Sequence, residues 1–238
     1  MRNIPPISVI TVLCLGVIST AVAQQNADDL KQRILAQAQS VSPDDYAFTR
    51  TIRSETNSKG KTEKKVTIEK FDPTKPADSR WTLVSIDGAP PSAEQTKAHQ
   101  KEAAKRRVVP GYHRIAAYFA TPATTSESGG KTVFRFPSLP KGAISILDTD
   151  VSHNATAEAT VTEANGAPFV EQVRFTVKPM RVKLLMKIDR FETTVRYRIG
   201  PGGKPFLIES SSDMSGSGMG QEGTMRNTTT YSDYRAVR

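Results

Sequence analysis

The chain has 238 residues, a formal net charge of +9 and one cysteine, Cys14. That length suits one sizeable β-rich domain, and a lone cysteine excludes an internal disulfide, so stability must come from a core. The one long apolar run, Ile7 to Ile18, is too short for a transmembrane helix.

The N-terminus reads as an export signal. Arg2 gives a positive start, the apolar run follows, and Ala21-Val22-Ala23 is a small-x-small cleavage pattern. The expected division is therefore a signal peptide, residues 1–23, cut after Ala23, and one domain over 24–238. Cys14 falls inside the signal as a hydrophobic filler. A basic exported protein suits an anionic membrane surface or an acidic protein partner, whereas nucleic acid is not expected in that compartment. Most charges alternate with apolar residues, as on the solvated face of a strand.

In chain order, Leu30, Ile34, Leu35 and Ala38 recur at helical spacing over residues 25–40. Asp28 and Asp29 lie near the expected helix start, where they suit the positive end of its dipole. Tyr46 to Arg53 and Val66 to Phe71 read as a hairpin across a polar turn, residues 57–60. A third strand runs from Arg80 through Trp81 and Leu83 to a turn at Asp87-Gly88. Ser92 and Gln95 form a capping box that opens a very polar helix, 93–107, with Lys97, Lys101, Lys105, Arg106 and Arg107 exposed. Residues 121–131, rich in Thr, Ser and Gly, read as a flexible loop. Strands are expected over 133–136, 155–162 and 169–177. The segment 180–188 fits both a period of two and a helical face. Its continuity with the strand at Phe191 favours a strand, the change of register near Asp189-Arg190 then being a bulge.

The C-terminal third alternates most cleanly. Phe191, Val195, Tyr197 and Ile199 share one face of a strand, and Glu192, Thr194, Arg196 and Arg198 share the other. The turn at 200–203, the strand from Pro205, the glycine loop 216–223 and the strand 224–234 complete a three-stranded meander.

Arg196-Tyr197-Arg198-Ile199-Gly200-Pro201-Gly202-Gly203-Lys204-Pro205 and Thr229-Thr230-Tyr231-Ser232-Asp233-Tyr234 resemble the C-terminal meander of the LolA-like periplasmic lipoprotein carriers. The strand carrying Arg80, Trp81, Leu83, Ile86, Asp87 and Gly88 is similar too. The resemblance implies an α+β, mainly β fold: a curved antiparallel sheet, open as a half-barrel, with a few helices over its concave face. It also implies a periplasmic, non-enzymatic protein that binds lipid or lipoprotein acyl chains in envelope transport or sensing. An envelope interaction module with the same fold, gripping a protein through its basic face, is the alternative.

A separate physical argument points the same way. One sheet with this much apolar alternation must hide a face, and the expected helices carry little apolar surface to cover it. Phe48, Trp81, Met186, Phe191 and Val195 are the candidate lining residues, methionine being suited to a variable chain. Core packing is the commoner fate of a strand tryptophan such as Trp81.

No cofactor, catalytic set or metal site is expected. Asp148, Asp150 and His153 lie close in sequence, but that spacing defines no coordination polyhedron, and a solvated loop accounts for them better. Ser215 and Ser217 stand in a meander turn, not on the strand-to-helix elbow a serine nucleophile uses. A buried serine beside His113 or His153 would be needed for hydrolase chemistry.

Overall fold

The computed structural model describes residues 15–104, 109–146, 149–183, 186–200, 202–218 and 220–237. It opens on helix α1 (Leu15–Gln39), whose stripe of Leu30, Ile34, Leu35 and Ala38 turns inward, Ile34 and Ala38 being fully buried. The helix starts earlier than its periodicity suggested, so Asp28 and Asp29 sit in its interior and not in a first turn. Strands β1 (Tyr46–Ser58) and β2 (Lys61–Phe71) form the expected hairpin. Lys59 (φ 56°) and Gly60 (φ 70°) make its two-residue turn, and both adopt the left-handed conformation such a tight hairpin requires. Strand β3 (Trp81–Ile86) follows and pairs with β2.

Helix α2 (Ala93–Ala103) is opened by the capping box: Ser92 Oγ accepts from Gln95 N at 3.2 Å, and Gln95 Oε1 accepts from Ser92 N at 2.8 Å. Lys105, Arg106 and Arg107 of the expected helix lie outside the described residues, as do Asp148, Leu184, Leu185 and residues 1–14. A single 3-10 turn (Tyr112–Arg114) leads into α3 (Ile115–Phe119). The expected loop 121–131 is instead strand β4 (Thr124–Ser128) and a Gly129-Gly130 turn into β5 (Lys131–Phe136). An edge strand wet on both faces has no apolar alternation to announce it.

A two-stranded ribbon, β6 (Ser145–Ile146) and β7 (Thr149–Asp150), precedes β8 (Ala155–Ala164) and β9 (Ala167–Val177). The ambiguous segment is extended, in two pieces: β10 (Met180–Lys183) folds back on the start of β11 (Met186–Ile199), pairing Met180 with Ile188. The register between β11 and β12 (Pro205–Gly218) shifts between Ile188 and Arg190, where a bulge was expected. The last strand, β13 (Gln221–Ala236), starts three residues after β12 ends, so most of the expected loop 216–223 is strand. Gly216 is placed by contact: a Cβ there would stand 2.2 Å from the Lys187 carbonyl oxygen at the bulge.

One antiparallel sheet runs β3-β2-β1-β13-β12-β11-β9-β8-β5-β4, with β10 beside β11. Its two edges do not meet, so it is an open half-barrel. Register shifts in the β1–β13, β2–β3, β8–β9 and β11–β12 pairs supply bends that curve such a sheet. The convex face carries cross-strand ion pairs: Arg135–Glu158 at 2.7 Å, Arg174–Glu192 at 2.9 Å, Arg226–Asp213 at 3.1 Å and Lys64–Glu55 at 3.3 Å. Neighbouring charges of opposite sign are the favourable cross-strand arrangement on a wet face.

Candidate functional site

The concave face is built from the opposite set of alternating positions and divides into three regions. At one end, the C-terminal half of α1, the segment 110–119 and residues 139–146 and 149–151 lie over β5, β8, β9 and the near ends of β11 and β12. Phe119 packs on Phe134 and Phe136 at 5.1 and 5.2 Å between ring centroids, and Tyr118 meets Phe175 edge-on at 5.2 Å. Tyr112 fixes the covering segment in place. Its hydroxyl donates to Gln37 Oε1 at 2.8 Å and accepts from Val170 N at 2.9 Å, tying α1 to β9. Burial pushes the Tyr112 phenol well above its ordinary pKa, so it stays protonated and can make both bonds.

At the other end, Phe48, Phe71 and Trp81 pack together under α2, with Ala103. Within this greasy cluster sits a charged group. Glu69 is only 2% exposed; its Oε2 accepts from Arg50 Nε at 2.6 Å and its Oε1 is 2.8 Å from His99 Nε2. The Arg50 guanidinium lies 3.9 Å above the Trp81 ring. Arg50 and Glu69 are direct cross-strand partners on β1 and β2, and Arg50 faces Tyr231 on β13. A carboxylate this deep is tolerated because the Arg50 guanidinium and hydrogen bonds meet it. His99 therefore anchors α2 to the sheet. Sequence reading left it without a role, because a helix so rich in lysine shows no inward stripe; its i, i+4 relation to the buried Ala103 was the available signal.

Between these ends the side chains of the central strands are only partly buried among the described residues. Register alternation puts Ser54, Thr56, Thr193, Ser210, Ser212, Asn227 and Thr229 on this face, interspersed with Ile52, Phe191, Val195, Met214 and Met225. Two cavities open along it. One, about 160 Å³, lies under the covering segment and is lined by Arg114, Tyr118, Phe175, Thr193, Val195, Tyr197, Leu207, Ser210 and Tyr231, among others. The other, about 240 Å³, lies at the far end among Met186, Ile188, Met214, Met225 and the backbone of Gly216, Gly218 and Gly223. On β12 only Ser212 separates Ser210 of the first from Met214 of the second on this face, so the two cavities are neighbouring parts of one trough.

The five candidate lining residues do not form one cluster. Met186 lines the far cavity, Val195 lines the covered one, and Phe191 packs between them against the main core. Phe48 and Trp81, 6% and 5% exposed, pack under α2 instead. The expected excess of oily sheet is thus only partly met: where cover stops, the sheet turns to small hydroxyl side chains with methionines among them.

The remaining sequence candidates have structural roles. Asp150 Oδ1 accepts from Ser152 N at 3.0 Å and Ser152 Oγ at 2.5 Å, and its Oδ2 accepts from Gly142 N at 2.9 Å, so this carboxylate closes a turn. The turn's hydrogen bonds hold Asp150 below the usual carboxylate pKa. Ser152 is buried, but its hydroxyl is held by Asp150 and Ile144, while the His153 ring meets Asn154. Among the described residues no group of three His, Cys, Asp or Glu is placed to hold a metal. No helix among them is long and apolar enough to cross a membrane.

No family model matches the chain, and no curated protein matches it in sequence. Among solved structures, it is similar to a LolA superfamily protein from Nitrosomonas europaea, with a TM-score of 0.37 and 13% identity over 87% of this chain and 94% of that one. It is also similar to a DUF1329 family protein from Desulfovibrio piger, with a TM-score of 0.35 and 11% identity over 90% of this chain and 92% of that one.

Proposed function

We propose that this is a non-enzymatic periplasmic protein, exported by residues 1–23 and cut after Ala23. Its single domain, 24–238, binds a lipid or acyl chain in the trough as part of envelope transport or sensing. The observation that carries the reading is the methionine-lined cavity at the far end of the concave face. Met186, Met214 and Met225 have unbranched, polarisable side chains that adapt to a flexible guest. Each methylene buried there contributes about 0.8 kcal/mol, so a short stretch of chain gives useful affinity without a dedicated polar contact.

The reading is tested by extracting the purified mature protein for mass spectrometry of bound lipid and by titrating it with the uncharged fluorophore N-phenyl-1-naphthylamine. Saturable fluorescence enhancement is expected, displaced by long-chain amphiphiles and lost when Met214 and Met225 are both changed to Asp. Absence of extracted lipid together with absence of enhancement would overturn it.

A further inference from the structure

The covered cavity differs in chemistry from the far one. Its lining includes one charged side chain, Arg114, and no carboxylate. The Arg114 guanidinium donates from Nη2 to the Ala143 carbonyl at 3.1 Å, and among the described residues it makes no ion pair. Three phenols, of Tyr118, Tyr197 and Tyr231, line the same space with the hydroxyls of Thr193 and Ser210. Tyr118 and Tyr197 are 4% and 6% exposed, and their hydroxyls make no hydrogen bond among the described residues. Burial raises the pKa of all three phenols, so they remain protonated; Tyr231 is engaged by Arg50, which leaves Tyr118 and Tyr197 as the available donors. A partly buried cation with donors converging on one space and no anion among them is a site short of its counter-charge.

The support is firm. Arg114 ends the 3-10 turn begun by Tyr112, which is bonded to α1 and β9, and the following Ile115 is fully buried. The cation is therefore held by a fixed segment, and binding need not order a loop.

We infer that the trough selects single-chain amphiphiles with a small anionic head, the head seated against Arg114, Tyr118 and Tyr197 and the chain running past Phe191 toward Met214 and Met186. This rests on the proposed acyl-binding function and adds its substrate class. A bare carboxylate or phosphate fits about 160 Å³ of space, and the side chains that β12 places between the two cavities on this face, Ser210 and Ser212, are small. A bulky zwitterionic head does not suit a site with one cation and no anion.

The test is displacement of N-phenyl-1-naphthylamine from the mature protein by dodecanoate, dodecyl phosphate and dodecan-1-ol. A charge-assisted head contact predicts that dodecanoate or the phosphate binds at least about tenfold more tightly than the alcohol. Whichever anion is tighter identifies carboxylate or phosphate as the natural head. Arg114→Gln should bring the anion to within about twofold of the alcohol, while Arg114→Lys keeps the preference because the charge remains. Arg181→Gln, an exposed arginine elsewhere, should leave the ratio unchanged. Equal wild-type affinity for alcohol and anions overturns the head site and leaves the acyl-binding reading standing. The head site falls in the same way if Arg181→Gln erodes the preference as much as Arg114→Gln. Failure of every amphiphile to displace the probe removes both. If Arg114→Gln also loses the alcohol, Arg114→Lys decides: preference kept supports the site, preference lost overturns it.

Discussion

The two ends of the trough are made from the same strands yet solve opposite problems. Under the segment 110–119, β11 and β12 present Val195, Tyr197 and Leu207 to a roof of Tyr112, Ile115 and Tyr118, and the result is an aromatic core. Roughly 17 to 37 Å beyond Leu207, by the rise of about 3.4 Å per residue, β12 presents Ser212, Met214, Gly216 and Gly218, which are only partly buried among the described residues. The covered end needs apolar volume to fix a unique fold. The bare end needs small side chains that neither collapse onto one another nor expose a large oily patch. Binding space arises where packing is withheld.

The contrast can be pressed hardest by truncating the covered end. Phe119→Ala removes a ring seated on Phe134 and Phe136 and should cost about 3–5 kcal/mol in urea unfolding, enough to make the fold marginal. A loss below about 1 kcal/mol would mean that the roof is not a structural part of the core.

A smaller effect is tied to acid. Burial, reinforced by the nearby charge of Arg114, pushes His113 below its ordinary pKa of 6.5, with Asp44 opposing. As pH falls the unfolded chain takes up this proton first. The covered end should therefore lose stability as pH falls from about 6.5 to the lower folded value, and this group adds no pH dependence above about pH 6.5. His113→Gln should flatten the pH dependence of Tm below 6.5; an unchanged slope would assign acid sensitivity to other groups.

The smallest effect is expected at the bare end. Ser212→Ala should change stability by less than about 0.5 kcal/mol, because the hydroxyl supports no buried contact. A cost like that of Phe119→Ala would show that the trough floor is structural, and the comparison between the two ends would fail.

Much of the sheet was legible because alternation at period two survives wherever one face is wet. The first hairpin, the bulge near Asp189-Arg190 and the capping box at Ser92 were all visible as local chemistry. The polar edge strand β4 was not, since Thr124, Ser126 and Glu127 show no apolar face, and neither was the strand character of residues 216–223. The site was less legible still. Phe48 and Trp81 share the concave face with Val195, but curvature and the placement of α2 set them apart, and neither is encoded in residue spacing. Arg114 was passed over because a lone arginine reads as solvated until the fold shows what it faces, and His99 because the lysine-rich helix around it shows no inward stripe.

The stretch Ser215-Gly216-Ser217-Gly218 has the composition of a flexible spacer, and an engineer shortening or re-coding the chain would begin there. With the Lys187 carbonyl oxygen lying where a β-carbon at 216 would go, that economy would force the ribbon apart at its bulge and spoil the wall of the methionine chamber. The segment that looks most replaceable on paper is a fitted joint.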